Sequence, residues 1–315
     1  TLMHILLMDP LEKLDIKKDS TLLFAHTLKK MGEDVCLLFE DDFYFSNEEQ
    51  ISLKMYDFSS DLDEKTFYLN SFSIENSYFH NISKSDTLHM RIDPPFDSRY
   101  LRYLWMLRGL EKMTGVKILN SAEGILIHNE KIYSYEQPGS VASYVGKSVE
   151  GAKKFFEAQK QNDFILKPVD LFQGIGVEKV EGEISHLLTS FERKVKEYDG
   201  PVVIQPFMKE VGEGEIRSLF FGETHLGSIL KVPPEGEFLA NIAQGAKFHQ
   251  VELEQEVFDQ CLKISRELLK WGVPWVAYDI LGGKVQEVNI TCPGLLVEVS
   301  HAVGENLAEK ILELL

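Results

Sequence analysis

Ser20-Thr-Leu-Leu-Phe-Ala-His-Thr-Leu-Lys-Lys-Met-Gly-Glu-Asp-Val-Cys-Leu-Leu-Phe39 sets the fold class of the N-terminal part of the chain. Apolar residues at Leu22, Leu23, Ala25 and Leu28 recur at helical spacing, so a helix is predicted from Ser20 to Met31. Gly32 stops it, and Val35–Phe39 is a continuous apolar run of strand length. A matching run, Ile5-Leu-Leu-Met8, precedes the helix and ends at Asp9-Pro10. Strand, helix, glycine, strand is a βαβ unit, whose strands run parallel and are covered by helices. The spacing therefore predicts an α/β domain.

Working outward, residues 41–86 are polar and irregular with strand-like pieces. A helix is expected over Arg99–Met113, ending before Gly115, and a strand over Val116–Leu119. Beyond residue 120 the pattern changes to a mixed α+β one. Helices are expected at Ser148–Gln159, Ile184–Tyr198, Leu253–Trp271 and from about Asn306. Strands are expected at Phe164–Pro168 and Val202–Gln205, with antiparallel pairs at Leu219–Gly227/Ser228–Val232 and Trp275–Leu281/Val285–Ile290. The expected organisation is an N-terminal domain at 1–120 and a two-lobed region at 121–315, divided at about 204/205.

The 315 residues suffice for two or three compact units, with 44% hydrophobic and 26% charged residues. The net charge of −17 and the absence of a Lys/Arg-rich run argue against nucleic acid and anionic membrane surfaces as partners. Cys36, Cys261 and Cys292 form no CxxC pair, which fits a reducing, cytoplasmic setting and supports neither a zinc nor a redox site. No apolar run has the roughly 18–20 residues of a membrane span. The opening Thr1–Met8 has no basic region or small-residue cleavage site, and reads as a buried strand rather than a leader.

Asp279, Glu287 and Asn289 form the strongest chemical cluster. Glu287 and Asn289 are two apart on one strand and share a face. A three-residue Gly282-Gly283-Lys284 connection would place Asp279 opposite Glu287; a two-residue turn would place it opposite Gln286. Three oxygen donors on one patch suit Mg²⁺, or Mn²⁺, shared with nucleotide phosphates. Lys167, ending a buried-looking strand, either reaches solvent or holds an anion. The loop Asp170–Gly176 carries Gly174 and Gly176, which allow backbone N–H groups to approach phosphates, but it is no Walker loop. Arg217 begins a strand after Gly212-Glu-Gly-Glu-Ile216, and Gln205-Pro-Phe-Met208 follows another. Lys17, Lys18, Asp19 and Ser20 sit before the first helix, where Asp19 or Ser20 is also a natural N-cap. In Met90-Arg-Ile-Asp-Pro-Pro-Phe-Asp97 the two prolines fix the backbone around Arg91 and Asp93.

These segments, with Met8-Asp-Pro10, Asn129-Glu-Lys131, Ile165-Leu-Lys-Pro168, Gly214-Glu-Ile-Arg217 and Glu287-Val-Asn-Ile-Thr291, occur in the order found in bacterial glutathione synthetases, which the chain resembles nearly end to end. The resemblance implies a Rossmann-like pre-ATP-grasp domain followed by a two-lobed ATP-grasp domain, a homo-oligomer, and ligation of a small-molecule carboxylate to an amine through an acyl phosphate. It implies that Lys131, Lys167, Gln173, Gly174, Gly176, Glu215 and the Gln205-Pro206-Phe207-Met208 segment hold ATP. Asp279, Glu287 and Asn289 would hold the metal. Lys17, Lys18, Asp19, Ser20, Arg91, Asp93 and Asn241 would hold substrate. Arg217 would stabilise charge on the acyl phosphate, with loops around Asp170–Gly176 and Glu235–Lys247 closing as a lid. Three places depart from the family pattern: Asp170-Leu-Phe-Gln-Gly174 lacks two of its glycines, and Leu239 and Val297 stand where it has arginine.

Overall fold

The computed structural model of the chain describes residues 2–242 and 245–315. Thr1 and residues 243 and 244 of the expected lid loop lie outside the described residues. The N-terminal sheet is built from β1 (Met3–Met8), β2 (Asp34–Phe39), β3 (Ser52–Leu62), β4 (Leu69–Asn81), β5 (Thr87–Arg91) and β6 (Lys117–Leu119), in the order β4-β3-β2-β1-β5-β6. The predicted βαβ unit is its centre: β1 pairs parallel with both β2 and β5. Helix α1 (Ser20–Lys30) crosses between β1 and β2, capped by the Asp19 carboxylate, which accepts from Leu22 N at 2.9 Å. Helix α2 (Ser98–Thr114) starts at an Asp97 cap and ends at Gly115, where φ is 75°.

The region that resisted sequence reading is a long antiparallel hairpin, β3 and β4, added to the edge of β2. Its polar sequence has a physical reason. Along β4 only Leu69 and Phe72 are buried, and Phe79 is 71% exposed, so backbone pairing rather than apolar alternation defines the strand.

A second sheet carries β7 (Tyr144–Gly146), β8 (Asp163–Pro168), β9 (Glu178–Glu181) and β10 (Val202–Pro206) in the order β7-β10-β8-β9, all antiparallel. With α5 (Val149–Ala158) and α6 (Ile184–Tyr198) it encloses its own core around Phe156, Phe164, Leu166 and Phe191. The short helices α3 (Ala122–Ile127) and α4 (Ile132–Tyr135) lead into it.

The third sheet, β13-β12-β11-β14-β15, holds β11 (Glu215–Phe221), β12 (Thr224–Val232), β13 (Lys247–Gln250), β14 (Trp275–Leu281) and β15 (Lys284–Asn289). Helices α7 (Gln255–Lys270), α8 (Leu296–Val303) and α9 (Leu307–Leu314) pack with it. The β11–β12 turn lies at Gly222-Glu223, not between Gly227 and Ser228 as the sequence suggested. Gly227 is a packing position inside β12: a Cβ there would lie 3.0 Å from Val299 and 3.1 Å from Val303 of α8.

The first and third sheets share their cores. Ile5, Leu7 and Leu88 pack in one cluster with Val276 and Val288, and Leu6 and Phe24 in another with Trp275 and Leu296. Asn120 fastens this junction: its Nδ2 donates to Trp275 O and Ile290 O, each at 2.8 Å, and its Oδ1 accepts from Trp275 N at 3.1 Å. Replacing Asn120 by Ala orphans three buried backbone groups and is expected to cost about 2–4 kcal/mol. Urea denaturation reads this as a lowered midpoint; an unchanged midpoint would show that the junction does not rely on these bonds.

Candidate active site

A cleft of about 700 Å³ opens between the β7–β10 lobe, the β11–β15 sheet and the loops after β1 and β5. Its wall is built by strand register. Arg217 lies opposite Asp279, and Asp279 opposite Glu287, so successive strands deliver alternating charges to one face. The β14–β15 connection is the two-residue turn Gly282-Gly283, yet Asp279 still pairs with Glu287, because a bulge at Gln286 shifts the register by one. Of the two alternatives left open by the sequence, the shorter turn and the Glu287 pairing both hold.

Asp279 accepts from Arg217 Nε at 2.7 Å and Nη2 at 3.0 Å, and Lys231 Nζ is 3.6 Å away. Burial alone would raise its carboxyl, but Arg217 and Lys231 hold it well below the usual carboxylate range. Asn289 Nδ2 donates to Ala277 O and to Asp279 Oδ2, leaving its oxygen as the group available to the cleft. Glu287 accepts from Lys131 Nζ at 3.0 Å, and Lys131 also donates to Leu171 O in the glycine loop. Glu215 accepts from Lys231 Nζ at 2.7 Å; burial, only partly offset by that lysine, raises the Glu215 carboxyl. Lys167 faces the same space with its Nζ 5.6 Å above the Tyr135 ring, and burial lowers its pKa against the pull of Glu287, Glu215 and Asp279. Two carboxylates and an amide oxygen on one face form a hard donor set that fits Mg²⁺ or Mn²⁺. Among the described residues no cluster of three His, Cys, Asp or Glu could hold a metal, and the Asn289 amide oxygen is the further hard donor beside Asp279 and Glu287.

Most residues singled out in the sequence line this cleft: Lys18, Asp19, Ser20, Arg91, Asp93, Lys131, Lys167, Gln173, Gly174, Gln205, Pro206, Phe207, Met208, Glu215, Arg217, Asn241, Asp279, Glu287 and Asn289. Two do not. Lys17 turns away, its Nζ 5.5 Å from the centroid of the Tyr68 ring. Gly176 lies behind the loop, its carbonyl accepting from the Tyr198 hydroxyl. Some that line the cleft also serve the backbone. Asp19 caps α1, and Ser20 Oγ accepts from Leu296 N at 3.0 Å, tying α1 to the start of α8. Asn241 Nδ2 donates to Gln173 O at 2.7 Å, joining the two expected lid loops, and a Cβ on Gly174 would lie 3.1 Å from Leu239. The other departure, Val297, is fully buried in the core.

Arg91 is stacked 4.2 Å from the Trp275 ring, donates to Thr21 and Pro293, and keeps a buried Nη1 without a hydrogen-bond partner among the described residues. Three cleft residues escaped sequence reading. Lys231 follows from the β11–β12 register once the turn is placed at Gly222. Glu130 clamps the end of β15, accepting from Ile290 N, Thr291 N and Thr291 Oγ1, each at 2.8 Å. Glu298 lines the cleft from α8, and its only sequence signal is a lone acid inside the apolar run Leu295–Val299.

This arrangement, a two-lobed nucleotide-sized cleft beside a parallel-sheet domain, has the architecture of an ATP-grasp protein. D-cycloserine synthetase DcsG superposes with a TM-score of 0.68 at 14% identity over 99% of each chain. D-alanyl-alanine synthetase A from Vibrio cholerae superposes at 0.60 and 13% identity, over 99% of this chain and 96% of its own. The profile of the prokaryotic glutathione synthetase N-terminal domain matches residues 2–125, and that of the ATP-grasp domain matches residues 130–304. The chain belongs to the prokaryotic glutathione synthetase family. The glutathione synthetase of Parasynechococcus marenigrum is 27% identical over 98% of this chain and 97% of its own length. That of Prochlorococcus marinus is 30% identical over 71% of this chain and 72% of its own.

Burial raises the Asp19 carboxyl to about 6 from 3.8. Its folded pKa thus exceeds the unfolded one, so its contribution to stability is complete below about pH 4 and is lost as pH rises through 6. Asp19→Asn keeps a capping oxygen and removes this dependence. The variant should match the wild type at pH 4 and exceed it by roughly 1–3 kcal/mol at pH 8 in chemical denaturation. A wild type more stable than the variant at pH 8 would show that the Leu22 N–H and the Arg91 charge outweigh the burial of the ionised carboxylate.

Proposed function

We propose that this chain is an ATP- and divalent-metal-dependent ligase that joins γ-glutamylcysteine to glycine, giving glutathione, ADP and phosphate. The observation that carries the reading is the convergence of Lys131, Lys167, Arg217 and Lys231 on Asp279, Glu287 and Glu215 in one cleft. Such a field suits a polyphosphate and its counter-cation. Adenine would lie against the Gln205–Met208 segment, where Ile165, Phe207, Met208 and Leu281 supply an apolar slot. Lys131 and Lys167 would bind the phosphates, Lys131 exchanging Glu287 for a phosphate oxygen.

Asp279, Glu287 and Asn289 would hold Mg²⁺ or Mn²⁺, which when bound neutralises charge on the phosphate oxygens. Arg91, braced on Trp275 with Nη1 unengaged, would bind a donor carboxylate, with Lys18 and Asp93 beside it. A donor carboxylate oxygen attacks the γ-phosphorus and ADP leaves; the amine then attacks the acyl carbon and phosphate leaves. Arg217 is held along its Nε–Nη2 edge by both oxygens of Asp279, so its charge is positioned before the reaction begins. The joined loops at 170–176 and 238–242 would keep water from the acyl phosphate. Within residues of about 121–204, the separately cored lobe around Phe156, Phe164, Leu166 and Phe191 would act as the lid, closing on the body formed by about 1–120 and 205–315.

A second reading keeps the chemistry and changes the substrates. Leu239 faces the cleft against Gly174 and Val297 is core, so neither supplies the cation the family pattern has there. That favours a less anionic partner. ADP release over a panel of carboxylates and amines separates the two: turnover with γ-glutamylcysteine and glycine supports the first, and turnover only with another pair supports the second. ATP binding without turnover on any pair would leave a nucleotide-binding homologue. Glu287→Gln should lower metal-dependent turnover at least about a hundredfold with an unchanged circular dichroism spectrum; near wild-type rates would remove Glu287 from the metal site.

A further inference from the structure

Every charged group deep in the cleft has a task in the proposed ligase or in the fold except Glu298. It lies in the first turn of α8 between Val297 and Val299, both fully buried, and is itself 2% exposed. Its Oε2 has no hydrogen-bond partner among the described residues, yet the residue lines the cleft. A buried carboxylate oxygen left unpaired is costly and calls for a cation. Nearby cations are engaged elsewhere. Lys18 lies 3.6 Å from Asp15, and Arg217 is held by both oxygens of Asp279. The other groups that face Glu298 are Asp19, before α1, and Tyr68, just before β4. Burial raises the Glu298 carboxyl to about 7, so it exchanges a proton near neutrality. The backbone holds the group in place: Ser20 Oγ accepts from Leu296 N, and Leu295 takes the left-handed conformation at φ 68°.

We propose that Glu298 is the binding site and general base for the ammonium group of the amine substrate. This rests on the ligase reading, in which the acceptor arrives protonated and cannot attack until it loses a proton. An N–H bond of the ammonium breaks and the proton passes to Glu298 Oε2. The freed lone pair forms the C–N bond at the acyl phosphate carbon. The C–O bond to phosphate breaks with its electrons leaving on phosphate, which takes the second nitrogen proton as the amide forms.

The test compares wild type, Glu298→Gln and Glu298→Asp in the full chain, with ATP and γ-glutamylcysteine saturating and glycine varied. Glu298→Gln should raise KM for glycine or lower kcat/KM by about ten- to a hundredfold, the loss of one charge-assisted hydrogen bond, with the KM values for ATP and γ-glutamylcysteine within about twofold. Hydroxylamine, largely unprotonated at neutral pH, needs no base. It should be used equally by wild type and Glu298→Gln, and Glu298→Asp should recover part of the glycine activity. An unchanged glycine KM and kcat, a rise confined to the γ-glutamylcysteine KM, or equal loss of glycine and hydroxylamine turnover would each overturn the assignment. If the wild type turns over no pair, the ligase reading falls. Glu298 is then decided by thermal unfolding: protection by glycine in wild type and not in Glu298→Gln sustains the ammonium site, and any other pattern removes it.

Discussion

Arg217 and Asp279 face each other across two neighbouring strands, bound through two parallel hydrogen bonds along one guanidinium edge, and the charge pattern of the cleft follows from that pair. A carboxylate so buried would be costly alone, and so would the guanidinium; together they are tolerated because each satisfies the other's hydrogen bonds. Their register fixes what stands beside them. Lys231 and Glu215 form the next pair on the same face, and Glu287 with Lys131 closes the row from β15. The result is a band of matched opposite charges whose members can trade partners with phosphates and a metal at little electrostatic cost.

That band needs a rigid support, which comes from sharing rather than separating cores. The N-terminal sheet and the β11–β15 sheet bury side chains in common clusters, with Trp275 meeting Phe24 edge-on and Arg91 stacked on its ring. Asn120 and Glu130, each saturating backbone groups at the ends of β14 and β15, hold the two parts in register. The lobe of β7–β10 has its own core, and its loop reaches the rest of the site through Lys131–Leu171 and Asn241–Gln173. A substrate-sized space between a shared body and a separately cored lobe is the geometry in which closure can exclude water.

Legibility in the sequence followed the strength of local signals. The βαβ unit, the capped helices and the apolar strands β8, β10, β14 and β15 were readable because burial imposes a period of two or 3.6 on them. The β3–β4 hairpin was not, since most side chains of β4 face solvent. Gly227 misled because a glycine that admits a neighbouring helix and a glycine that makes a turn are identical in sequence. Lys231 was hidden behind that error.

Sequence alone determined the residue types of the site and their grouping on short segments, because alternation on a strand and rigidity around Pro94-Pro95 act over a few residues. It also determined that glutamate, asparagine and aspartate near the C-terminus could face one way. Which carboxylate meets which cation was decided only in three dimensions. The Gln286 bulge, which keeps Asp279 opposite Glu287 despite a two-residue turn, depends on pairing across the sheet. Lys131 reaches Glu287 across 156 positions of chain, and the packing of α8 leaves Glu298 Oε2 without a hydrogen-bond partner among the described residues. Coulomb energy and desolvation depend on distance in space, and the spacing of residues along the chain does not contain that distance.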